Sequence, residues 1–493
     1  MNMQRLARSD YLKLAPILAL AFYIAFIPHQ NYAYPLHLDE WQNLAYFQAL
    51  TTAGSITFPD PYLGSAPGYP NLEVGFHVFW SVFHQLSDVP WLIIFRYFPS
   101  VIFMMSVLSV YTLGRREGFG WEAALMTCLI PTTVGILGPA FLVPVAMGLV
   151  FIPLSIFIAF NFRGWGSYAV LSIFMSLLVA MHAATALGLI IILTPYILLN
   201  LKGNFRHSFG IALAMAIPFL GLFPWIRSLL LPTAKLLLTP FFLLPYVEIP
   251  RVIESYGYIP ILVSLVGTFV LSIRGGKKSY GLILGLLALL LMLVIRYTFH
   301  YGVRFMYERG LIYMMLMLSI VTGAGLAWVQ NIRLPLGLMA RLKALPNTRN
   351  VGYVISLILI GLTLYVAIPV RQNTPYYRMI DGEDYEAFMW IKENVDSSYS
   401  KAILDPWKAT SLTAITEKNV YSRISESPRP SDKEAYDFLR SGSANTTFLR
   451  KNRVSIIYTR VFDGRQNVEY NSDNPDLTKV RKNIYLLKED LAR

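Results

Sequence analysis

Two adjacent carboxylates, Asp39 and Glu40, have the residue type and the placement to carry out chemistry. They lie in the stretch YPLHLDEWQNLAYF, residues 34–47, beside His37 and shortly after the first long apolar segment of the chain. A carboxylate held at a membrane surface can act as general base for an acceptor hydroxyl or as a metal ligand. Acidic residues are also favoured in the first turn of a helix, so helix capping is the structural alternative.

A second group of candidate residues is basic. The stretch YTFHYGVRFMYERGLIYMML, residues 297–316, supplies His300, Arg304 and Arg309 directly after Arg296. Arginine is well shaped to bind phosphate, and the N-terminus of a helix adds a favourable partial charge. The structural alternatives are contact with lipid headgroups, or a pair between Arg304 and the acidic residue four positions later.

Other polar residues could line a substrate site. The segment 232–258 combines proline and aromatic residues with several charges, and a loop covering a substrate and a purely structural loop are equal alternatives for it. We consider three charged residues of this segment, and one histidine from each of the two groups above, as possible contacts to a substrate. These residues are His37, Glu248, Arg251, Glu254 and His300.

Two further histidines have mainly structural explanations. Glu73 and His77 have the i, i+4 spacing of a metal-binding pair on a helix, but such a pair more often forms a hydrogen bond, which we favour here. His182 falls between two apolar runs, where capping or packing is the expected role. Neither signal predicts a dedicated metal centre, and a divalent metal bound with Asp39 stays an open alternative.

The composition places most of the chain in a membrane. The sequence is 55% hydrophobic and 14% charged, with 30 Phe, 30 Tyr and 9 Trp, which indicates a polytopic helical membrane protein with many interfacial aromatic anchors. The net charge of +13 reports orientation in such a protein, so no nucleic-acid partner is predicted. We predict eleven membrane-spanning segments, at 11–28, 90–113, 121–138, 140–160, 167–181, 183–200, 208–231, 259–273, 279–295, 310–330 and 351–370.

The distribution of basic residues predicts the orientation of these segments. If the N-terminus lies inside, the inward loops contain the basic residues, and the short outward turns near residues 139 and 182 contain none. This alternation follows the positive-inside rule and predicts an odd number of crossings, with the N-terminus inside and the C-terminus outside.

Two outward regions are longer than connectors. We predict a membrane domain over 1–370, which includes an outer loop, 29–89, containing two interfacial helices in DEWQNLAYFQALTTAG and NLEVGFHVFWSVFHQL. In 371–493 the charge density rises and helical patterns alternate with short strand patterns, which predicts a small extracytoplasmic α/β domain. That domain contains a glycosylation sequon, Asn445-Thr446-Thr447.

An outer loop with adjacent acidic residues, a multi-span bundle and a C-terminal α/β domain together resemble the GT-C superfamily of membrane glycosyltransferases. The Asp39-Glu40 pair is most similar to that of the protein O-mannosyltransferases and the aminoarabinose transferases. The resemblance implies a polyprenyl-phosphate-linked sugar as donor, a hexosyl or pentosyl group transferred with inversion, and a hydroxyl acceptor on a protein, lipid or glycan. It also implies that Asp39 is the base and Glu40 its partner, while Arg304 and Arg309 bind the donor phosphate. The expected location is the plasma membrane, with the active site facing the cell envelope.

Two alternatives remain. Oligosaccharyltransferase catalytic subunits of the same superfamily are expected to carry Asp-x-Asp in the first outer loop and a second acidic motif, whereas this chain has Asp39-Glu40 and an acid-free GILGPAFLVP. Their C-terminal counterpart here is LDPWKATSLTAIT, with Asp405 and Trp407. A secondary transporter is the other alternative, but transporters place ionisable groups within their spans, and these predicted spans are almost free of acids.

Overall fold

The computed structural model describes residues 3–64, 73–130, 138–223, 249–302, 304–332, 351–373, 378–424, 429–464 and 466–488. The chain divides into two compact units, and each is formed by two separate stretches of sequence. The first unit comprises Met1–Asn31 and Arg96–Pro375, and the second comprises Tyr32–Phe95 and Tyr376–Arg493. The segment that carries Asp39 and Glu40 therefore belongs to the same unit as the C-terminal region.

The helices up to residue 373 are numbered along the chain. They are α1 (Met3–Phe26), α2 (Leu38–Ala53), α3 (Val74–Ser87), α4 (Trp91–Glu117), α5 (Gly120–Leu129), α6 (Pro144–Asn161), α7 (Trp165–Asn200), α8 (Phe205–Gly221), α9 (Ile249–Tyr256), α10 (Tyr258–Arg274), α11 (Gly276–Phe299), α12 (Arg304–Gln330) and α13 (Val351–Asn373). A short 3₁₀ helix, Ile27–His29, follows α1.

Within the described ranges, seven segments are long and apolar enough to cross a membrane. They are Leu12–His29, Trp91–Glu117, Pro144–Asn161, Trp165–Asn200, Gly276–Phe299, Met306–Gln330 and Val351–Gln372, and α8 and α10 are shorter apolar helices. The 36-residue α7 is interrupted at His182, whose φ of −160° and ψ of 90° are not helical, and this break separates the predicted runs 167–181 and 183–200. The predicted runs 121–138 and 208–231 lie partly outside the described residues.

Helix α12 is the most enclosed of these segments and supports much of the first unit. It contacts α10 closely, because a Cβ at Gly267 would lie 2.0 Å from the carbonyl oxygen of Val321 and a Cβ at Gly325 would lie 2.2 Å from that of Val263. On another face, Gly188 of α7 leaves room for the ring of Tyr313. Small residues allow this backbone approach between membrane helices, and they fix the helix on which Arg309 stands.

The second unit contains α2, α3 and a C-terminal α/β region. The further elements are α14 (Gly382–Asn394), β1 (Lys401–Ile403), α15 (Ala409–Thr416), β2 (Asn419–Val420), α16 (Pro430–Arg440), α17 (Thr446–Lys451), β3 (Ile456–Tyr458), β4 (Arg460–Phe462), β5 (Asn467–Glu469), β6 (Leu477–Arg481) and β7 (Ile484–Leu487). One sheet has the strand order β2-β1-β3-β7-β6, and β4 and β5 form a separate pair.

The strands of the larger sheet run in both directions. β1 pairs in parallel with β2 and β3, whereas β7 pairs antiparallel with β3 and β6. Ile403, Leu439, Ile457 and Val461 belong to the apolar core of this region. Helix α15 connects β1 to β2 and packs against α2, so the sheet supports the helix that carries Asp39.

Candidate functional site

The Asp39-Glu40 pair lies in the first turn of α2, and the two carboxylates have different surroundings. His37 is the N-cap, and its Nδ1 accepts a hydrogen bond from the amide of Asp39 at 3.0 Å. Glu40 reaches back, so that its Oε2 accepts from the amides of Leu36 at 2.6 Å and His37 at 3.2 Å. This is a capping box, in which a Glu three residues beyond the N-cap bonds the backbone before the helix.

The exposure of the two side chains separates their roles. Glu40 is 0% exposed, whereas the side chain of Asp39 is 38% exposed. The Nδ1 of His37 lies 3.8 Å from Asp39, but this nitrogen accepts the amide hydrogen of Asp39 and so carries no proton of its own. Asp39 is therefore the more accessible of the two carboxylates, and Glu40 holds the backbone on which Asp39 stands.

Replacement of Glu40 tests this capping role. We expect Glu40→Ala to destabilise the protein by about 3 kcal/mol, because a buried amide and a partly buried amide lose their charged acceptor. Glu40→Gln keeps one acceptor oxygen and should recover about half of that loss. The measurement is hydrogen–deuterium exchange of peptides covering residues 36–47 in the full-length protein. Unchanged exchange in Glu40→Ala would show that the capping box does not hold this turn.

Helix α2 is fixed by buried contacts with α3. Asn43 Oδ1 lies 3.0 Å from His77 Nε2, and the hydroxyl of Ser81 donates to the carbonyl of Phe47 at 3.2 Å. Burial lowers the pKa of His77 to about 3, so the ring is neutral. His77 is thus buried and bonded to Asn43 on another helix, and the surface hydrogen bond that we favoured between Glu73 and His77 stays a prediction.

Helix α3 also presents an apolar face to its surroundings. Phe79, Val82 and Leu86 are exposed and lie at i, i+3 and i+7 of this helix. Such a face suits a helix that lies on a bilayer surface, as predicted for this segment. Helix α2 has no comparable row, since Trp41, Leu44 and Phe47 are buried and Leu50 is only partly exposed.

The basic residues of 296–309 also include one that is buried and others that are partly exposed. Arg296 is 6% exposed, and its Nη1 donates to the carbonyls of His300 at 2.7 Å and Gly302 at 3.1 Å, so it holds the turn after α11. His300 is the C-cap of α11 with a φ of +59°, and it is partly exposed. Arg304 is the first residue of α12, and its side chain lies outside the described residues. Arg309 is partly exposed on α12.

Arg309 lies near the break in α7. It stands one helical turn before Tyr313 on α12, and the ring of Tyr313 packs against Gly188 of α7. His182 Nδ1 accepts from the amide of Thr185 at 3.2 Å and lies 2.7 Å from its hydroxyl, and that hydroxyl lies 2.9 Å from the Tyr313 hydroxyl. The capping role expected for His182 is confirmed.

The loop 232–258 is described only at its C-terminal end. Glu248 lies outside the described residues, as does the side chain of Arg251, while Glu254 is exposed on α9. Across the described ranges, no cluster of three or more His, Cys, Asp or Glu residues is arranged to hold a metal ion. The roles of Glu248, Arg251, Glu254 and His300 in substrate contact stay predictions.

The segment LDPWKATSLTAIT contains a buried carboxylate, Asp405, which accepts three hydrogen bonds. Asp405 accepts from the amide of Trp407 at 3.0 Å, the hydroxyl of Tyr436 at 2.8 Å and the amide of Phe462 at 2.8 Å. Burial raises the pKa of Asp405, and these hydrogen bonds oppose that rise. Asp405 thus fixes the turn between β1 and α15.

The second unit also supplies residues that sequence reasoning missed. Arg423, after β2, donates to Gln42 Oε1 at 2.7 Å and lies 4.0 Å from the ring centroid of Tyr62. Gln42 stands one turn beyond Asp39 on the same face of α2. No local pattern marked Arg423, because a separation of 381 residues along the chain divides it from Gln42.

The chain has the fold of the GT-C membrane glycosyltransferases. With its seven apolar helices of spanning length, this fold identifies an integral membrane protein. No family model matches the sequence, and no curated protein matches it either.

Three solved structures illustrate the similarity. The archaeal oligosaccharyltransferase AglB from Archaeoglobus fulgidus, in complex with an inhibitory peptide and a dolichol-phosphate, is 12% identical, with a TM-score of 0.62 over 91% of this chain and 69% of that one. ArnT from Cupriavidus metallidurans, bound to undecaprenyl phosphate, is 12% identical, with a TM-score of 0.55 over 87% of both chains. The arabinofuranosyltransferase AftD from Mycobacteria is 16% identical, with a TM-score of 0.57 over 95% of this chain and 37% of that one. At these identities the similarity concerns the fold.

Proposed function

We propose that the protein is a membrane glycosyltransferase that moves a sugar from a polyprenyl-phosphate-linked donor to an acceptor hydroxyl on a protein, lipid or glycan. The observation that carries this proposal is the partly exposed carboxylate of Asp39 on a capped helix turn, in a chain with the GT-C fold. The solved structures with dolichol-phosphate and undecaprenyl phosphate support a lipid phosphate on the donor.

The proposed chemistry is a direct substitution at the anomeric carbon. Asp39 accepts the proton of the acceptor hydroxyl while the hydroxyl oxygen forms a bond to the anomeric carbon. At the same time the bond between that carbon and the phosphate oxygen breaks, and the polyprenyl phosphate leaves with the electron pair. Arg304 and Arg309 bind that phosphate and stabilise its developing charge. Displacement from the opposite face inverts the anomeric centre, and the transferred group is a hexose or a pentose. No step requires a metal, and a divalent ion at Asp39 stays an open alternative.

The proposed topology follows the predictions from charge and hydropathy. Eleven spans, with the N-terminus inside and the C-terminus outside, place both α2 and the α/β region on the extracytoplasmic side of the plasma membrane. The exposed apolar row on α3 would then contact the outer bilayer surface.

Oligosaccharide transfer is the second candidate, and the similarity to AglB favours it. Against it, the first outer loop has Asp39-Glu40, and GILGPAFLVP contains no acid. Because Glu40 is buried in the capping box, this pair presents one partly exposed carboxylate. We therefore favour transfer of a single sugar.

A glycan comparison tests the proposed function. Cells of the source organism that lack this chain should lose one sugar modification from an envelope protein, lipid or glycan, and should accumulate a polyprenyl-phosphate-linked sugar because its consumption has stopped. Mass spectrometry of the envelope glycans and of the lipid-linked sugars measures the change, and the wild-type chain should restore both to their original levels. Loss of a complete oligosaccharide would favour the AglB-like alternative, and unchanged glycans and lipids would contradict both.

A further inference from the structure

Arg423 is held against the face of α2 that carries Asp39. Asp39, Gln42 and Tyr46 stand at i, i+3 and i+7 of this helix, so they share one face, and all three are partly exposed. Arg423 Nη1 donates to Gln42 Oε1 at 2.7 Å. The ring centroid of Tyr46 lies 6.1 Å from that of Tyr62.

An aromatic ring supports the guanidinium of Arg423. Its carbon lies 4.0 Å from the ring centroid of Tyr62, which is 0% exposed. Backbone hydrogen bonding holds this ring in place, because the amide of Val420 donates to the carbonyl of Tyr62 at 3.0 Å and Asp60 Oδ1 accepts from the amide of Tyr62 at 2.8 Å. The tyrosine hydroxyl is buried and has no hydrogen-bond partner among the residues that the structure describes. Arg423 is thus preorganised by a rigid platform.

Among the residues that the structure describes, Arg423 has no ion-pair partner. In the described part of the chain, no carboxylate oxygen lies within 4.0 Å of its guanidinium, in contrast to Arg460, which pairs with Asp381 at 2.7 Å. Guanidinium carries five N–H donors, and the hydrogen bond to Gln42 leaves several of them for a ligand. A planar, ring-stacked guanidinium with unused donors favours bidentate binding of a carboxylate or a phosphate.

We propose that Arg423, Gln42, Tyr46 and Tyr62 form an anion-binding subsite for the acceptor, which recognises a carboxylate or phosphate group close to the hydroxyl that is glycosylated. This proposal rests on the proposed function, because Asp39 is the base for that hydroxyl. In a direct displacement the acceptor and the departing phosphate occupy opposite faces of the anomeric carbon, so a cation beside the base serves the acceptor. The predicted acceptor is therefore anionic.

Protection of Arg423 from phenylglyoxal tests the subsite without requiring catalysis. The full-length protein in an uncharged detergent is labelled with and without inorganic phosphate or acetate, and peptides are quantified by mass spectrometry. We expect either anion to slow the labelling of Arg423, by about tenfold when most of the site is occupied. Arg440, an exposed arginine 5.4 Å from the ring of Tyr436, is the matched control and should be unaffected. The more effective anion identifies the chemical class.

A near-isosteric variant provides the second arm. Gln42→Glu places a carboxylate where the amide oxygen now lies 2.7 Å from Arg423, so it should compete with the anion and abolish protection. Equal protection of Arg423 and Arg440, or full protection in Gln42→Glu, would overturn the proposal. If anions protect Arg423 but Asp39→Asn still restores the envelope glycan, the subsite is supported and the role of Asp39 as base is contradicted. Absence of protection beside an inactive Asp39→Asn would contradict the subsite alone.

Discussion

Asp39→Asn should lower sugar transfer by about 10²–10⁴-fold, because the amide cannot accept the acceptor proton. The side chain keeps its size and its partly exposed position in the first turn of α2, and the capping contacts of His37 and Glu40 involve the backbone. The folded protein should therefore persist while the chemical step fails. The measurement is the glycan content of cells that lack the chain and are complemented with this variant, alongside its abundance in the membrane.

Asp88→Asn is the matched control for this substitution. Asp88 is an exposed carboxylate of the same segment, and it ends α3 with a φ of 55°, a left-handed conformation that asparagine tolerates well. We expect Asp88→Asn to transfer sugar at the wild-type rate. Equal loss of activity in both variants would point to general damage rather than to a missing base.

Asp384→Ala should destabilise the α/β region by about 3–5 kcal/mol, because it leaves a buried ammonium without its carboxylate. Lys408 and Asp384 are both 0% exposed, and Lys408 Nζ donates to Asp384 Oδ1 at 2.8 Å. Burial lowers the pKa of Lys408, and the attraction of Asp384 only partly offsets this effect. Lys408 directly precedes α15, the helix that packs on α2, so the loss should extend toward the candidate site.

Replacement of Lys408 should destabilise the α/β region less than replacement of Asp384. In Lys408→Met the carboxylate of Asp384 keeps Arg460 at 2.8 Å and the hydroxyl of Tyr458 at 2.7 Å, so about half the loss is expected. Hydrogen–deuterium exchange of peptides from residues 401–416 in the full-length protein measures both variants. Lys482→Met, which removes an exposed pair with Glu383, is the control and should leave this exchange unchanged. A larger effect from Lys408→Met than from Asp384→Ala would refute this ordering.

The sequence predicted the elements whose patterns are local. The helix predicted at DEWQNLAYFQALTTAG ends at Gly54, which has a φ of 59° and stops the helix as glycine commonly does. The break at His182 interrupts α7 between two apolar runs, and charge density marked the α/β region. The strands β5 and β6 were not predicted, because Asn467–Glu469 and Leu477–Arg481 are short and largely polar, and each is stabilised by pairing with its neighbour, β4 or β7. The stretch VSIIYTRV has the pattern of one continuous strand, but it forms two strands in different sheets, β3 and β4, on either side of Thr459.

The candidate site was only partly predictable for the same reason. Capping of α2 was foreseen as an alternative for Asp39 and Glu40, but the sequence could not show that Glu40 is buried and that Asp39 stays partly exposed. Arg423 meets Gln42 only through the tertiary fold, and the Lys408–Asp384 pair likewise joins residues from separate elements. Side chains brought together over such distances carry no pattern within one sequence. The catalytic roles of Asp39 and Glu40 and the phosphate-binding roles of Arg304 and Arg309 stay predictions.

Transfer of label from a lipid-linked sugar tests the central claim most directly. Radiolabelled polyprenyl-phosphate-linked sugars extracted from the source organism would be mixed with purified protein and with membranes from cells that lack the chain, which supply the acceptor. The wild-type protein should move label from the lipid fraction into membrane material and release polyprenyl phosphate. Asp39→Asn should do neither above background. Equal transfer by the wild-type protein and Asp39→Asn would contradict the account.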